Sequence, residues 1–140
     1  MNRTFGIFPD QKLMIARFIG PIDFYDIRDW IDEAPRYKAF STEYDGIVDQ
    51  RRAIFKHTRI EKAKELATYM VEHRFTSGKW VVLVTKPMET ALSLLYREIA
   101  VVKHPIELFS TIDAAAKYLE RNVKDLVAID PLLSNLASRD

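Results

Sequence analysis

Positively charged side chains are concentrated in one segment of the chain, residues 51–59. The segment reads Arg-Arg-Ala-Ile-Phe-Lys-His-Thr-Arg and carries four permanent positive charges. It leads into a predicted helix, and the free N–H groups and dipole at a helix N-terminus favour anions. We therefore predict a site for a small anionic ligand or a protein partner, formed by Arg51, Arg52, Lys56, His57, Thr58, Arg59 and Lys86.

Lys86 belongs to this prediction because it follows the next predicted strand. Ligand crevices of open parallel sheets lie beyond the carboxyl ends of the strands, so both segments should meet at one edge. The alternative interpretation is a solvated basic loop in which Thr58 only caps its helix. Thr58-Arg59-Ile60-Glu61 has the pattern of a capping box, in which hydroxyl and carboxylate each accept a backbone N–H.

The remaining chemistry-bearing residues do not form a catalytic pattern. The three histidines, His57, His73 and His104, are far apart and fit no metal-ligand spacing, and the chain has no cysteine. The sequence also lacks a Gly-x-Ser-x-Gly elbow, a Walker A loop and a Gly-x-Gly-x-x-Gly fingerprint. We therefore expect a protein that is not an enzyme and that uses no metal and no cofactor.

Composition limits the classes of partner. The chain has 140 residues, 48% of them apolar, and a net charge of +1, which is typical of one globular domain and argues against nucleic acid. No apolar run approaches the roughly 20 residues that span a bilayer, so membrane insertion is not expected. The first residues lack the apolar run of a signal peptide, and with the absence of cysteine this predicts a cytoplasmic protein.

The first elements that must position the site are a hairpin and a helix. Residues 5–8 and 13–19 are rich in β-branched and aromatic side chains on either side of a turn at residues 9–12, which predicts an antiparallel hairpin. Asp23 is a predicted N-cap for a helix that carries Ile27, Trp30 and Ile31 on one face and ends at Pro35. Residues 44–48 are predicted to lead into a short third strand, with Asp49 near its end.

The second half of the chain continues the alternation. Residues 79–85 form a nearly continuous apolar run, typical of a central parallel strand. Pro87 opens a helix with Leu92, Leu95, Ile99 and Val102 on its inner stripe, residues 106–109 form a last strand, and Ser110-Thr111-Ile112-Asp113 resembles a second capping box. The order ββαβαβαβα predicts an α/β sandwich: a mixed, mostly parallel sheet with an antiparallel N-terminal hairpin, flanked by helices.

Two further features leave alternatives open. Trp30, Tyr37, Phe40 and Tyr44 either fill the core or line an apolar pocket beneath the first helix, which would make the protein a small carrier of an apolar or amphipathic ligand. Residues 1–125 are predicted as one domain and residues 126–140 as a tail. The leucines of this tail, which could form a short helix, cover the domain itself or dock on a second chain, as in a homodimer.

Several segments resemble the SpoIIAA-like family, a branch of the STAS domains related in shape to CRAL-TRIO lipid carriers. The resemblance is carried by Ile-Ala-Arg-Phe-Ile-Gly-Pro-Ile at residues 15–22, Gly-Ile-Val-Asp at 46–49, Trp-Val-Val-Leu-Val at 80–84 and Leu-Tyr-Arg-Glu-Ile-Ala at 95–100. Ile-Glu-Leu-Phe at 106–109 and Ile-Asp-Ala-Ala-Ala-Lys-Tyr-Leu at 112–119 complete it, so that it covers most of residues 3–122. These motifs are mostly structural.

The resemblance implies a regulatory or binding module and a phosphoacceptor. Anti-sigma factor antagonists carry a phosphorylated serine in an Asp-Ser-Ser-Gly motif at the helix after the third strand. Aligned on Asp49, that motif falls on His-Thr-Arg-Ile at residues 57–60, with Thr58 on the phosphorylated serine. The other three positions of the motif differ in this chain.

Overall fold

The computed structural model of the chain describes residues 3–56, 59–73, 76–100 and 105–123. Five strands form one sheet in the order β1-β2-β3-β4-β5. The strands are β1 (Arg3–Phe8), β2 (Leu13–Ile22), β3 (Asp45–Phe55), β4 (Trp80–Leu83) and β5 (Ile106–Phe109). β1 pairs antiparallel with β2 and the other pairs are parallel, which confirms the predicted mixed sheet.

Helices cover the two faces of the sheet unequally. They are α1 (Phe24–Glu33), α2 (Ile60–Glu72), α3 (Pro87–Ala100) and α4 (Ile112–Leu119). The first three pack on the face that we call face A, which carries Met14, Val48 and Val82. α4 packs on the opposite face, face B, which carries Ile15 and Ile47.

Aromatic side chains fill the core between face A and α1. Trp30 of α1 is 1% exposed. Its ring lies edge-on to Phe5 on β1, at 5.7 Å between ring centroids, and to Trp80 on β4, at 5.8 Å. Tyr37, Phe40 and Tyr44 pack half-buried against the same cluster. The core-packing interpretation is therefore confirmed for Tyr37, Phe40 and Tyr44, whereas Trp30 packs in the core and also lines a small cavity.

The N-terminal hairpin and α1 form as their sequence predicts. A 3-10 turn, Pro9–Gln11, joins β1 to β2, and Lys12 closes it in the left-handed region at φ 51°. The Asp26 N–H donates to the Asp23 side chain over 3.1 Å, and the Asp23 N–H donates to the Asp26 side chain over 2.8 Å. The two carboxylates satisfy N–H groups that the first turn leaves free, so α1 begins where Asp23 was predicted to cap it.

The third strand is much longer than predicted. Instead of ending near Asp49 it runs to Phe55, so residues 51–55 are strand and the predicted basic loop is wrong there. The reason is the long second strand, which offers pairing partners as far as Ile22 opposite Phe55. The pairing register shifts between Arg17–Asp49 and Ile19–Arg52, which places one extra residue in β3 as a bulge.

Two helix caps lie one residue later than the sequence patterns place them. α4 is capped by Thr111, whose hydroxyl accepts the Ala114 N–H over 3.1 Å, and not by Ser110. α2 has Arg59 at its N-cap, without a side-chain cap hydrogen bond, where the capping box placed Thr58. Adjacent residues that can cap, such as Ser110 and Thr111, look alike in sequence, and only the path of the incoming chain decides between them.

Some predictions concern residues outside the described ranges. Val102 of the α3 stripe and the tail, residues 126–140, are among them. Within the described ranges, no helix combines the length and the apolar character needed to cross a membrane.

Candidate functional site

Two of the predicted site residues lie on β3, and one of them is held by a buried carboxylate. Arg51 donates to Asp49 from its side chain over 3.0 and 2.9 Å and from its backbone N–H over 3.1 Å. Arg17 on β2 approaches the same carboxylate at 3.2 Å. Asp49 is 2% exposed, so it joins two guanidinium groups inside the fold. The Arg51 side chain is therefore engaged by Asp49 inside the fold and is less available to a ligand.

Opposing effects act on the Asp49 carboxyl group. Burial alone raises its pKa, because it disfavours the charged form. Hydrogen bonds from the Arg51 side chain and backbone, with the charges of Arg51 and Arg17, outweigh burial, and the pKa lies below its ordinary value. Asp49 is therefore a carboxylate at neutral pH, held between two cations.

Arg52 and Lys86 of the predicted site are positioned by β3. Ala53 and Phe55 of β3 are buried in the face A core, so Arg52 and Ile54, which alternate with them, point to face B. The Lys86 side chain donates to the backbone oxygen of Ala53 over 3.0 Å. Lys86 thus reaches the carboxyl half of β3 as predicted, but its ammonium group is engaged by backbone.

Lys56 and Arg59 are the described members of the predicted site that flank the start of α2 in the chain. Lys56 follows β3, Arg59 precedes α2, and both are exposed. His57 and Thr58 lie outside the described residues, so the phosphoacceptor role of Thr58 stays a prediction. The predicted site is thus divided between face B and the start of α2.

A groove between α1 and α2 begins at this point, and the sequence analysis missed it. The α1–α2 groove has a volume of about 430 Å³ and is lined chiefly by Phe24, Tyr25, Arg28, Lys62, Leu66 and Tyr69. An adjoining cleft of about 290 Å³ shares Phe24, Tyr25 and Lys62 with the groove and adds Asp23 and Arg59. Arg59 therefore stands at the open end of a continuous depression on the surface.

The open end of the groove exposes apolar surface next to cations. Tyr25 is 55% exposed and Ile60 is 54% exposed. The Lys62 ammonium group donates to the Tyr25 hydroxyl over 3.1 Å and lies 5.0 Å from the centre of its ring. The hydrogen bonds to Tyr25 and Glu65 raise the pKa of Lys62, so the lysine is charged at neutral pH.

The far end of the groove repeats the pairing of a cation with an aromatic ring. The Arg28 guanidinium group lies 4.6 Å from the centre of the Tyr69 ring, and Tyr69 donates its hydroxyl to Asp32. His73 stacks on Tyr69 with 3.9 Å between ring centroids and contacts the Tyr69 backbone oxygen. His73 thus has the structural role expected of it.

A small apolar cavity lies beneath the groove. Its volume is about 50 Å³, and Phe24 and Leu66 line both the cavity and the groove above. The polar groups at its wall include Gln50 and Ser93, which are joined by a hydrogen bond from the Ser93 hydroxyl over 3.2 Å. The apolar pocket beneath the first helix therefore exists, but it is small.

One feature of the sequence could have drawn attention to this surface of α1, although not to the groove itself. Ile27, Trp30 and Ile31 form the apolar stripe of α1, and Tyr25 and Arg28 fall outside it. An aromatic residue on the polar face of an amphipathic helix is exposed surface that packing does not require.

Among the described residues, no group of three acidic or histidine side chains could hold a metal ion.

Comparisons with known proteins give information about the fold of the chain but not about its function. No family model matches the sequence, and no curated protein does. Among solved structures, the chain is similar to the crystal structure of an uncharacterized protein of the DUF3478 family from Shewanella loihica PV-4, described as having a SpoIIAA-like fold. The two chains are 10% identical and superpose with a TM-score of 0.56 over 84% of this chain and 94% of the other. The fold of this chain is therefore SpoIIAA-like, as the sequence resemblance implies.

Proposed function

We propose that the chain is a non-catalytic binding module that holds an acidic segment of a partner protein in the α1–α2 groove. The observation that carries the proposal is the open end of the groove, where exposed Tyr25 lies with Arg59 and Lys62. Ile60, which follows Arg59 in the chain, is also exposed. Tyr and Arg are the residue types most enriched where protein partners bind tightly. A partner segment would place a large apolar side chain on Tyr25 and carboxylates beside the cations.

The charge around the groove favours an acidic partner. Arg28, Arg59, Lys62 and Lys64 face Asp23, Glu65 and Glu72 in the groove and its cleft. Asp23 is committed to capping α1, and Glu65 lies 3.4 Å from Lys62. Within the described ranges, Arg59 and Lys64 form no ion pair, so positive charge is left over for a ligand.

The position of Arg59 supports the same conclusion. A cation at a helix N-terminus meets the positive end of the helix dipole and is slightly destabilising there. Arg59 sits at the N-cap of α2 and Lys62 follows within the first turn. Two cations at this end of the helix do not stabilise it, but they could bind an acidic partner.

A peptide library tests this proposal. Random peptides displayed on phage are selected on the immobilised protein, and the selected peptides are made synthetically. We expect acidic residues beside a large apolar one, and at least a tenfold loss of affinity for Arg59→Glu and Lys62→Glu. Lys117→Glu, the same charge change on the exposed face of α4, is the matched control and should bind normally. Selected peptides that ignore both groove variants would refute the proposal.

Phosphorylation of Thr58 would regulate this site. Thr58 lies between Lys56 and Arg59 in sequence. A phosphate adds about two negative charges and pairs with neighbouring cations, so it would compete with an acidic partner. We expect Thr58→Glu to weaken the selected peptides, and intact-mass analysis of protein from its own host to show one phosphate that Thr58→Ala abolishes. If the protein carried no phosphate in any growth condition, the hypothesis that phosphorylation of Thr58 regulates the site would be refuted.

The hypothesis that the protein carries an apolar ligand is weaker than the binding-module proposal, because the cavity beneath α1 is small. An apolar cavity of about 150 Å³ is needed to admit benzene, and the cavity beneath α1 has about 50 Å³. A lipid chain would require the helices to separate. We therefore expect native mass spectrometry of gently purified protein to find it without a bound lipid, and a lipid that co-purifies would restore the hypothesis.

A further inference from the structure

The carboxyl half of β3 extends beyond the strand beside it. β4 pairs with β3 only from Gly46 to Asp49, whereas β3 continues to Phe55. β2 pairs with the other edge of β3 along this stretch. Among the residues that the structure describes, no strand pairs with β3 on the β4 side after Asp49. The backbone N–H and C=O groups on that side therefore need other partners.

Side chains at the start of α3 supply such partners. The Lys86 ammonium group donates to the Ala53 backbone oxygen over 3.0 Å. The Glu89 carboxylate accepts the Phe55 N–H over 3.1 Å. Lys86 and Glu89 are three residues apart, so they lie on the same side of the chain where the helix begins. Together they take the place of a strand along this edge of β3.

Glu89 turns its carboxylate inward, toward β3. The residue is 5% exposed. A helix dipole favours a carboxylate in the first turn, but it favours a carboxylate that faces water as well, so it does not explain the burial. Removing a charged group from water is costly unless the group is hydrogen-bonded. The hydrogen bond from the Phe55 N–H therefore accounts for the inward orientation of Glu89.

The end of β3 lies next to the α1–α2 groove. The Phe55 ring lies 5.5 Å from the Phe24 ring, measured between centroids, and Phe24 lines both the groove and its adjoining cleft. On the other edge of β3, the Lys56 N–H donates to the Ile22 backbone oxygen over 2.7 Å. The Phe55 ring that packs on Phe24 thus belongs to a strand end that is held at both edges.

We infer that Glu89, together with Lys86, positions the open end of the α1–α2 groove. By accepting the Phe55 N–H, the Glu89 carboxylate fixes the end of β3, and the packed rings of Phe55 and Phe24 carry that position to the floor of the groove. Glu89 is a positioning residue that contacts no partner itself. The inference rests on the proposed function, because the position of the floor affects binding only if the partner binds in this groove.

Two substitutions of Glu89 separate the hydrogen bond from the size of the side chain. Glu89→Leu cannot accept the Phe55 N–H, whereas Glu89→Gln keeps a side-chain oxygen that can. Hydrogen exchange of the free protein, followed by NMR, is compared at Phe55 and at Val84, whose N–H donates to the Phe109 backbone oxygen. We expect Glu89→Leu to raise exchange at Phe55 relative to Val84 by about tenfold or more, and Glu89→Gln by less than about threefold.

Peptide affinity is the second readout. The peptides selected on the immobilised protein should bind Glu89→Leu about tenfold more weakly and Glu89→Gln normally. Glu98→Leu, on the exposed side of α3, is the matched control and should change neither measurement. An unchanged exchange ratio in Glu89→Leu would overturn the inference. Peptides that need Arg59 and Lys62 but bind Glu89→Leu normally would overturn the inference alone, and peptides that ignore all three residues would refute the proposed function as well.

Lys86 provides a second variant in case Glu89→Leu does not fold. Lys86→Met keeps an aliphatic side chain and removes the donor to the Ala53 backbone oxygen. Because the Glu89 contact remains, we expect a smaller effect, about threefold on the exchange ratio and on peptide affinity. Lys86→Arg, which can still donate, should restore both. Equal values for Lys86→Met and Lys86→Arg would overturn the inference.

Discussion

At the scale of single residues, Asp49 decides where two of the cations point. Its buried carboxylate engages the buried side chain of Arg17 and the side chain of Arg51, which is 30% exposed. A buried carboxylate that accepts several charge-assisted hydrogen bonds is strongly coupled to its partners. The same pairing removes Arg51 from the predicted anion site. A sequence shows that Arg51 is positive but not that a buried acid two residues earlier already holds it.

Replacing this carboxylate should be costly. Asp49→Asn removes the buried negative charge that the guanidinium groups of Arg17 and Arg51 approach at 3.2 and 2.9 Å. Breaking a buried pair in this way costs about 3 kcal/mol or more of unfolding free energy. Urea unfolding followed by circular dichroism measures the loss. Asp29→Asn, on the exposed face of α1, should change stability by less than about 0.5 kcal/mol.

The same residue predicts a pH dependence. Because the pKa of Asp49 is lower in the folded chain than in the unfolded one, its contribution to stability is complete above about pH 4. It is lost as the pH falls through the folded value, when the folded chain also takes up the proton. The stability difference between the native chain and Asp49→Asn should therefore be constant from pH 7 to 5 and narrow below about pH 4. A difference that stays constant to pH 2.5 would contradict the lowered pKa.

At the scale of elements, the hairpin, α1 and β4 were predictable because local signals and packing agree. The turn residues, the Asp23 cap and the apolar run at β4 each point to the structure that forms. β3 was underestimated because its second half contains Arg51 and Arg52, which look like loop residues. In the structure Ala53 and Phe55 are buried and Arg52 and Ile54 are exposed, but residues 53–55 are all apolar, so the sequence does not show this alternation. Pairing with the long β2 determines where β3 ends, and no local sequence pattern indicates this pairing.

The α1–α2 groove was not predictable for a related reason. It depends on how far two helices stand apart on face A, and helix spacing is set by the side chains between them. Phe24 and Leu66 form the floor on which the groove rests. Their apolar character predicts burial but says nothing of the depression above. The cations Lys56 and Arg59 were predictable because charge and helix start are both visible in sequence.

Contact between β3 and β4 supplies the prediction at this scale. Gly46 faces Trp80 across the pair, and a Cβ on Gly46 would overlap the Trp80 ring. Gly46→Ala should therefore cost about 2 kcal/mol of unfolding free energy, because the ring must move within a packed core. In the Trp80→Phe background the smaller ring leaves room, so the same substitution should cost less by about 1 kcal/mol.

Gly20→Ala is the control for this cycle. Gly20 has φ +75°, which strains alanine, but a Cβ there meets nothing within 4 Å. Gly20→Ala should therefore lower the unfolding free energy by about 1 kcal/mol, and by the same amount with Trp80 and with Phe at position 80. Urea unfolding followed by circular dichroism measures all variants. Equal costs of Gly46→Ala with Trp80 and with Phe at that position would show that the ring is not the obstacle.

At the scale of the whole molecule, the fold separates its core from its binding surface within single helices. The inner face of α1 turns Trp30 and Ile31 into the core, at 1% and 2% exposure, and its outer face presents Tyr25. The net charge of +1 is nearly neutral, so the attraction of the acidic partner that we propose would arise from the local cations around the groove. Exposed charges are screened by salt, and peptide affinity should fall as ionic strength rises.

Two substitutions in α1 test this separation, because their effects should be opposite. Tyr25→Ala removes an exposed ring, so stability should change by less than about 0.5 kcal/mol while the selected peptides bind at least tenfold more weakly. Ile31→Val removes one buried methyl group, so stability should fall by about 1 kcal/mol while binding is unchanged. Urea unfolding and fluorescence anisotropy of a labelled peptide measure the two quantities. If Tyr25→Ala destabilised the fold and spared binding, Tyr25 would be a packing residue and the outer face of α1 would have no part in recognition.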